Sequence, residues 1–314
     1  MKTKGMRALV VSALVATIGL LGLSAPASAA ANTIVVTQGP TGIISVSPAT
    51  ALAAQLVNFE FSSVFNYTDA QGKSYGGDPE IFQARDGSTL TNAKLTELDA
   101  KLAQAGQGGA AGSAGMQWIL SNFTFFSGDP FTGANKFGEI LSAGTYYVAQ
   151  FQLVPDLNLK PSTTVKTFKV TGPSQQILPV VDGKVSVTNT NGPDVFTAYS
   201  TTAGTGKLRN GQVAFVNKTG SITSPAELHF FALWQVVSGT TVQQACNWFN
   251  TGTASPFVPN GGKAAFGTMS SQRQINGWLN VPLGTYFVWS GIPDRDTGTP
   301  HVKECEGLIV QVVA

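Results

Sequence analysis

Two cysteines and two histidines are the residues of this chain best suited to chemistry. Cys246 and Cys305 are its only cysteines, and His229 and His301 are its only histidines. Thiolates and imidazoles are ligands for soft and borderline metals. In an exported chain, however, one even pair of cysteines favours a single disulfide, with two free thiols or a thiolate metal site as the alternatives. Two histidines are too few for a site built from three.

The N-terminal segment predicts export. Met1 to Arg7 is short and basic, an apolar run follows from Ala8 to Leu23, and Ala27-Ser28-Ala29 offers a cleavage site. This pattern predicts a secretory signal peptide over residues 1–30, with an uncleaved membrane anchor as the alternative. The alanine-rich signal suits a bacterial extracellular protein. We therefore expect a secreted mature chain that has no membrane contact after signal cleavage.

The charge of the mature chain excludes an electrostatic nucleic-acid binder. Without the basic residues of the signal, sixteen basic residues remain against seventeen acidic ones, a formal net charge of −1. Such a balance gives no basic patch for nucleic acid or for an anionic membrane. Charged residues make up only 11% of the chain, which indicates a polar, uncharged surface of the kind common in secreted all-β proteins.

Short β-branched or alternating runs bounded by glycine and proline predict many strands. They are Thr33–Thr37, Gly42–Val46, Gln55–Phe61, Glu80–Ala84, Trp118–Phe126, Gly183–Thr188, Asp194–Tyr199, Gly211–Val216 and Glu227–Val236. Two stretches have helical spacing instead. One runs through Leu95 and Leu98 and ends at Gly106, and the other runs from Val242 to Phe249 with Thr240 or Thr241 as its N-cap.

A glycine- and alanine-rich stretch follows the first predicted helix. Gln104 to Gly115 reads QAGQGGAAGSAG, and this composition predicts a flexible, solvent-exposed loop. A phosphate-cradling loop is the alternative, but no Gly-Lys-Ser/Thr ending follows the glycines.

The order of these elements occurs twice. Ala143-Gly144-Thr145-Tyr146 in the first half matches Leu283-Gly284-Thr285-Tyr286 in the second, and Gly172-Pro173 lies between the halves. The sequence therefore predicts an all-β chain of two tandem Greek-key β-sandwiches, each with one inserted helix, over residues 31–173 and 174–314.

The second half resembles a cupredoxin-like domain, the fold of blue copper proteins, and the first half carries a fainter version of the same motifs. The resemblance covers roughly residues 175 to 314, and its most specific part is the spacing from the Gly-Thr-Tyr turn to Pro300-His301. Other matching stretches are Gly211–Asn217, Pro225–Leu228, Ser238–Val242, Gly261-Gly262 and Ile292–Asp294.

The resemblance also implies where copper ligands would lie. A blue copper site uses two histidines, a thiolate and usually an axial methionine. The matching places hold Ala226, Ser290, His301 and Glu306, and in the first half Glu80 and Gln150. We therefore expect no cofactor and no metal, with a Cys246–Cys305 disulfide as a staple in the metal's place. His229 is interpreted as a hydrogen-bonded core or rim histidine. If copper binds, its candidate ligands are His301, Cys305 and His229.

Catalytic interpretations have less support. Ser290, His301 and a nearby aspartate form a possible Ser-His-Asp set, but the chain has no Gly-x-Ser-x-Gly motif. Two loop carboxylate pairs are possible glycosidase residues, although loop carboxylates are usually solvated; they are Asp294 with Asp296 and Glu304 with Glu306.

The sequence thus predicts a secreted, non-catalytic structural or binding protein on a metal-free cupredoxin-like scaffold. The alternative is a copper-binding or electron-transfer protein with a rearranged site. The expected partner is an extracellular protein or a glycan, for which the five tryptophans offer aromatic surface. Trp234 and Trp248 have apolar spacing and are assigned to the core.

Overall fold

A computed structural model describes residues 32–53, 55–128, 133–173, 178–189, 193–220, 227–252 and 254–314. The predicted signal peptide and Ala226, one of the inferred ligand places, lie outside the described residues. Within these ranges, no helix has both the length and the hydropathy needed to span a bilayer.

The first sandwich contains eleven strands and three helices among the described residues. They are β1 (Thr33–Gln38), β2 (Ile44–Ser47), β3 (Thr50–Leu52), β4 (Val57–Ser63), β5 (Asn66–Thr68), β6 (Ser74–Gly76), β7 (Pro79–Ala84), α1 (Asn92–Ala105), α2 (Gly109–Asn122), β8 (Phe123–Gly128), β9 (Gly133–Glu139), β10 (Gly144–Gln150), α3 (Pro161–Thr164) and β11 (Lys166–Thr171).

The second sandwich contains ten strands and one helix, counted in the same ranges. They are β12 (Gly183–Thr188), β13 (Val195–Ser200), β14 (Gly204–Thr205), β15 (Lys207–Arg209), β16 (Gly211–Lys218), β17 (His229–Val236), α4 (Val242–Thr251), β18 (Lys263–Met269), β19 (Arg273–Leu279), β20 (Gly284–Trp289) and β21 (Gly307–Val313). A short 3₁₀ turn, His301–Glu304, lies between β20 and β21.

The strand order confirms the predicted fold class. One five-stranded sheet has the order β3-β11-β10-β7-β8, and the other repeats it as β15-β21-β20-β17-β18. Both pack against one nine-stranded sheet, β14-β13-β12-β16-β19-β9-β4-β1-β2, whose two halves meet at β9 and β19. These two strands pair antiparallel through Gly138 and Asn276, so the halves are related by a pseudo-twofold rotation. The predicted boundary lies between β11 and β12, and the division into two domains stays a prediction.

Alternating side chains explain why these segments are strands. In β4, residues at every second position are buried, including Phe59 and Phe61, and the equivalent Phe215 of β16 is also fully buried. Alternate residues of an extended chain face the same side, so these rings fill the space between the sheets. The two predicted tyrosine turns also match, because Tyr146 donates to the Ser142 carbonyl at 2.8 Å and Tyr286 to the Pro282 carbonyl at 2.7 Å.

The two predicted helices form as expected, and their ends follow ordinary capping chemistry. Thr91 accepts a hydrogen bond from the Lys94 amide at the start of α1, and Gly106 ends that helix. Thr241 is the N-cap of α4 and forms a capping box with Gln244. Both caps satisfy amides that would otherwise lack partners in the first turn.

The prediction of a flexible, exposed Gly/Ala loop was wrong. Its second half begins helix α2, which continues to Asn122, so the strand predicted from Trp118 begins only at Phe123. The small residues allow close packing. A Cβ at Gly115 would lie 2.6 Å from the Ala105 nitrogen of α1, and a Cβ at Gly112 would lie 3.2 Å from the Gly298 carbonyl oxygen of the second sandwich. Composition alone did not reveal that this segment packs on both sides.

The core assignment of two tryptophans is correct only in part. Trp234 and Trp248 are half-buried. Their rings pack edge-to-face at 6.4 Å, and both contact the ring of Phe257 beneath α4. They therefore belong to an aromatic layer at the edge of the second sandwich.

Candidate metal centre

Four ionisable side chains converge inside one end of the second sandwich. Asp194 lies directly before β13, Glu227 lies two residues before β17, His229 begins β17, and His301 begins the 3₁₀ turn. Potential ligand atoms of these four residues all lie within 4.8 Å of one another, and all four residues are buried. Segments distant in sequence are therefore brought together by the sandwich.

Local backbone structure explains how the residues are placed. Glu227 and His229 are two positions apart at the start of an extended segment, so their side chains point to the same side. The turn that carries His301 is fixed by hydrogen bonds from the His301 amide to the Ile292 carbonyl, at 3.1 Å, and from the Val302 amide to the Ser290 carbonyl, at 2.9 Å.

Nitrogen and oxygen atoms alternate around the centre of the cluster. Nε2 of His229 lies 2.8 Å from Oδ2 of Asp194 and 3.8 Å from Oε2 of Glu227. Nε2 of His301 lies 3.8 Å from the same Glu227 oxygen. Two imidazoles and two carboxylates thus direct ligand atoms to one small volume.

Glu306 holds His301 in a defined orientation. Its Oε2 lies 2.6 Å from Nδ1 of His301, while its Oε1 accepts the Asp194 amide at 2.8 Å. A proton on Nδ1, directed at the carboxylate, leaves a lone pair on Nε2. Metal-binding histidines commonly have such a carboxylate on the other ring nitrogen.

The cluster does not satisfy its own hydrogen-bonding capacity. Within the described part of the chain, six of its buried side-chain atoms have no hydrogen-bond partner; they are Oδ1 and Oδ2 of Asp194, Oε2 of Glu227, Nδ1 and Nε2 of His229 and Nε2 of His301. Nε2 of His229 and Oδ2 of Asp194 are counted among these six atoms, because their contact is short but does not have the geometry of a hydrogen bond. Buried polar atoms are nearly always paired, so this group of unpaired ligand atoms is a candidate site for a cation.

Burial shifts the pKa values of Glu227 and His229 toward their uncharged forms. Burial, followed by the nearby Asp194, raises the pKa of Glu227 to about 9. Burial, followed by the charge of His301, lowers the pKa of His229 to about 4. Burial also opposes ionisation of Asp194, but its contact with His229 and the charges of both histidines lower the pKa of this carboxyl. A divalent cation would replace the Glu227 proton and offset the negative charge of the carboxylates.

The residues present do not fit a blue copper site. Ser290 is at the place where the resemblance puts the thiolate. The Cys305 sulfur is at disulfide distance from that of Cys246, with a Cα–Cα separation of 5.2 Å, as predicted for this pair. No thiolate therefore reaches the centre from the residues described, and the donors are nitrogen and oxygen, which suit a borderline divalent ion.

Sequence reasoning found part of the cluster. Of the three candidate copper ligands, the structure brings His229 and His301 together, with ring centroids 4.3 Å apart, and places Cys305 in the disulfide. Asp194 and Glu227 were not identified as site residues, although the spacing Glu227-x-His229 at a strand start was an available signal. Nothing in the sequence linked Asp194 to the other residues.

The proposed catalytic sets are arranged differently from expectation. The Ser290 hydroxyl is buried and accepts a hydrogen bond from the Ile292 amide at 3.4 Å. The His301 ring contacts the carboxylates of Glu306 and Asp194. Within the described residues it forms no hydrogen bond with Ser290. Asp294 and Glu304 lie near His301 on its solvent side.

Comparisons with known proteins found similarity only among solved structures. No family model matches the chain, and no curated protein matches it. Auracyanin B is 15% identical, with 44% of this chain and 94% of that chain covered and a TM-score of 0.24. A multicopper oxidase is 13% identical, with 90% and 88% covered and a TM-score of 0.21. Copper nitrite reductase from Nitrosomonas europaea is 8% identical, with 90% and 93% covered and a TM-score of 0.20. These TM-scores are low, and the fold class rests on the strand order of the sheets.

Proposed function

We propose that the second sandwich binds one divalent metal ion through Asp194, Glu227, His229 and His301, and that the chain is a secreted, non-catalytic metal-binding protein. The observation that carries the proposal is the convergence of one ligand atom from each of four buried residues, whose side chains include six atoms without hydrogen-bond partners among the described residues. This convergence favours a rearranged metal site over the metal-free scaffold that we expected from the sequence.

The donor set points to zinc or a similar borderline ion. Imidazole suits zinc, iron, nickel and copper(II), and carboxylate is compatible with each. Zinc–ligand bonds of about 2.0–2.2 Å in a tetrahedron place neighbouring ligand atoms roughly 3.3–3.6 Å apart. The separations of 2.8 to 3.8 Å within the cluster bracket that range.

Burial of every ligand supports a structural role for the ion. Catalytic zinc sites keep one position open for water or substrate, whereas structural sites are closed by four protein ligands. Here the side chains of both histidines are fully buried, and those of Asp194 and Glu227 are 1% and 6% exposed. The ion would thus hold β17, the segment before β13 and the 3₁₀ turn together.

The test is the zinc content of the mature chain after removal of metal with a chelator and reloading. We expect one zinc ion per chain in the wild type and none in Glu227→Gln. Glu139→Gln is the matched control, because Glu139 is equally buried but lies at the β9–β19 junction. A wild type that retains no ion, or a Glu227→Gln variant that retains as much, contradicts the proposal.

Thermal unfolding provides a second measurement. An ion present at a thousand times its dissociation constant stabilises the folded state by about 4 kcal/mol. For a chain of this size, that corresponds to a rise in Tm on the order of 10 °C. We expect this rise in the wild type and in Glu139→Gln, and its absence in Glu227→Gln.

A further inference from the structure

A second group of carboxylates lies between the buried centre and solvent. Ligand atoms of Asp294, His301 and Glu304 lie within 4.8 Å of one another. Glu304 is exposed, Asp294 is half-buried and His301 is fully buried, so exposure falls stepwise toward the interior. His301 belongs to both groups and therefore connects them.

The two carboxylates are held in position by the loop. Oδ1 of Asp294 accepts the amides of Asp296 and Thr297 at 2.8 and 2.6 Å. The hydroxyl of Thr297 donates to Oε1 of Glu304 at 2.7 Å. This arrangement fixes the separation of Asp294 and Glu304.

The same loop is anchored to the first sandwich. The Ser113 hydroxyl of α2 donates to the Arg295 carbonyl at 2.7 Å, and Gly298 lies against Gly112. The guanidinium of Arg295 pairs with Asp296 at 2.8 Å, which offsets its positive charge beside the two carboxylates. The loop therefore presents Asp294 and Glu304 on a rigid support.

An unpaired buried nitrogen of His301 connects this pair with the buried centre. Nε2 of His301 is fully buried and has no hydrogen-bond partner within the described ranges, and it lies 3.8 Å from Oε2 of Glu227. A cation held by Asp294 and Glu304 would thus lie near the His301 ring, and the next ligand, Glu227, belongs to the buried centre.

We propose that Asp294, Glu304 and His301 form an entry position at which a hydrated divalent cation is first held before it moves to the buried centre. This inference rests on the proposed function. Carboxylates replace hydration water while the ion is still near solvent, and each later ligand replaces one more water. Exposed carboxylates also attract cations from a distance, which raises the association rate and makes it sensitive to salt.

The experiment measures how fast metal-free protein takes up and releases Co²⁺, whose visible absorption reports its ligands. In the double variant Asp294→Asn, Glu304→Gln we expect uptake about tenfold slower and less dependent on salt. Release to an excess of chelator slows as well, because the ion leaves by the same route. The stoichiometry stays at one ion per chain.

The matched control is Asp86→Asn, which removes an exposed carboxylate from a turn of the first sandwich and lies outside both groups. Its uptake rate should stay near that of the wild type. Unchanged uptake in the double variant, or an equal loss in Asp86→Asn, overturns the entry position while leaving the buried centre intact. Slower uptake with faster release overturns it too, since the carboxylates would then be final ligands. If the wild type takes up no Co²⁺ or Zn²⁺, the proposed function itself fails.

Discussion

The same end of the two sandwiches is closed in two different ways. Gln150 and Ser290 both lie four residues after the tyrosine of a Gly-Thr-Tyr turn. In the first sandwich, Oε1 of Gln150 accepts from Gln38 at 2.8 Å and from the Asp78 amide at 2.9 Å, and its amide donates to the Gln152 carbonyl at 2.9 Å. Amides thus pair with one another there, while in the second sandwich six atoms of the buried carboxylates and imidazoles have no hydrogen-bond partner among the described residues.

The strand register shows which residues occupy equivalent positions at this end of the two sandwiches. Ile44 pairs with Gln38 in the first sandwich, and Asp194 takes the corresponding place before β13. Thr164 and Glu306 both lie two residues before equivalent positions of β11 and β21. An isoleucine and a threonine therefore stand where the second sandwich has two carboxylates. The shared scaffold therefore carries different polar side chains at this end of its two halves.

The disulfide provides the largest expected difference between the sandwiches. Only the second has cysteines, and Cys246–Cys305 spans 59 residues. On the chain-entropy model, closing such a loop stabilises the folded state by about 4 kcal/mol. We expect Cys246→Ala, Cys305→Ala to lose about that much in urea unfolding of the metal-free protein. Hydrogen exchange should rise in α4 and β21, and an equal rise in β10 and β11 would contradict this.

The carboxylate behind His301 should matter for metal affinity. Glu306→Gln keeps the shape but removes the charge opposite Nδ1 of His301, and losses of such partners typically weaken metal binding by about 10- to 100-fold. Isothermal titration with Zn²⁺ measures the change. Thr164→Val alters the equivalent place in the first sandwich and should leave the affinity unchanged. An effect of the same size in both variants would indicate a general loss of structure.

The tyrosine turns should behave alike, because this part of the scaffold is shared. Tyr146→Phe and Tyr286→Phe each remove one hydrogen bond to a carbonyl four residues earlier. We expect each to lower the free energy of unfolding by about 1 kcal/mol. Urea unfolding of the metal-free protein measures both, and a clear inequality would show that the two turns are not equivalent.

The junction between the sandwiches should have its own pH dependence. Burial raises the pKa of Glu139 from 4.5 to about 7, although its hydrogen-bonded partner Arg273 opposes the shift. The folded state therefore keeps a proton that the unfolded chain loses, and stability falls as the pH rises from about 4.5 to 7. In Glu139→Gln this part of the slope should disappear. Unfolding at several pH values tests it, and identical slopes would contradict the expectation.

Periodicity and turn chemistry predicted most of the scaffold from sequence. The strands around Phe59 and Phe215, both capped helices and the cysteine pair follow from local patterns. Helix α2 did not, because a run of glycine and alanine has no apolar periodicity. Its close contacts, of Gly115 with α1 and of Gly112 with Gly298 in the second sandwich, form only in the folded chain.

The candidate site was harder to predict for the same reason. His229 and His301 stood out by rarity, but Asp194 is one of many acidic residues and reaches the centre only through the strand order. Its position opposite the 3₁₀ turn is a property of the folded sandwich. The spacing of blue copper ligands therefore could not predict this set of four residues.

Anomalous X-ray scattering from crystals of zinc-loaded protein tests the central claim most directly. The account predicts one zinc ion bound by nitrogens of His229 and His301 and by oxygens of Asp194 and Glu227, with none at the Gln150 end of the first sandwich. A cluster without an ion, in which His229 and Asp194 form an ordinary hydrogen bond, would contradict it.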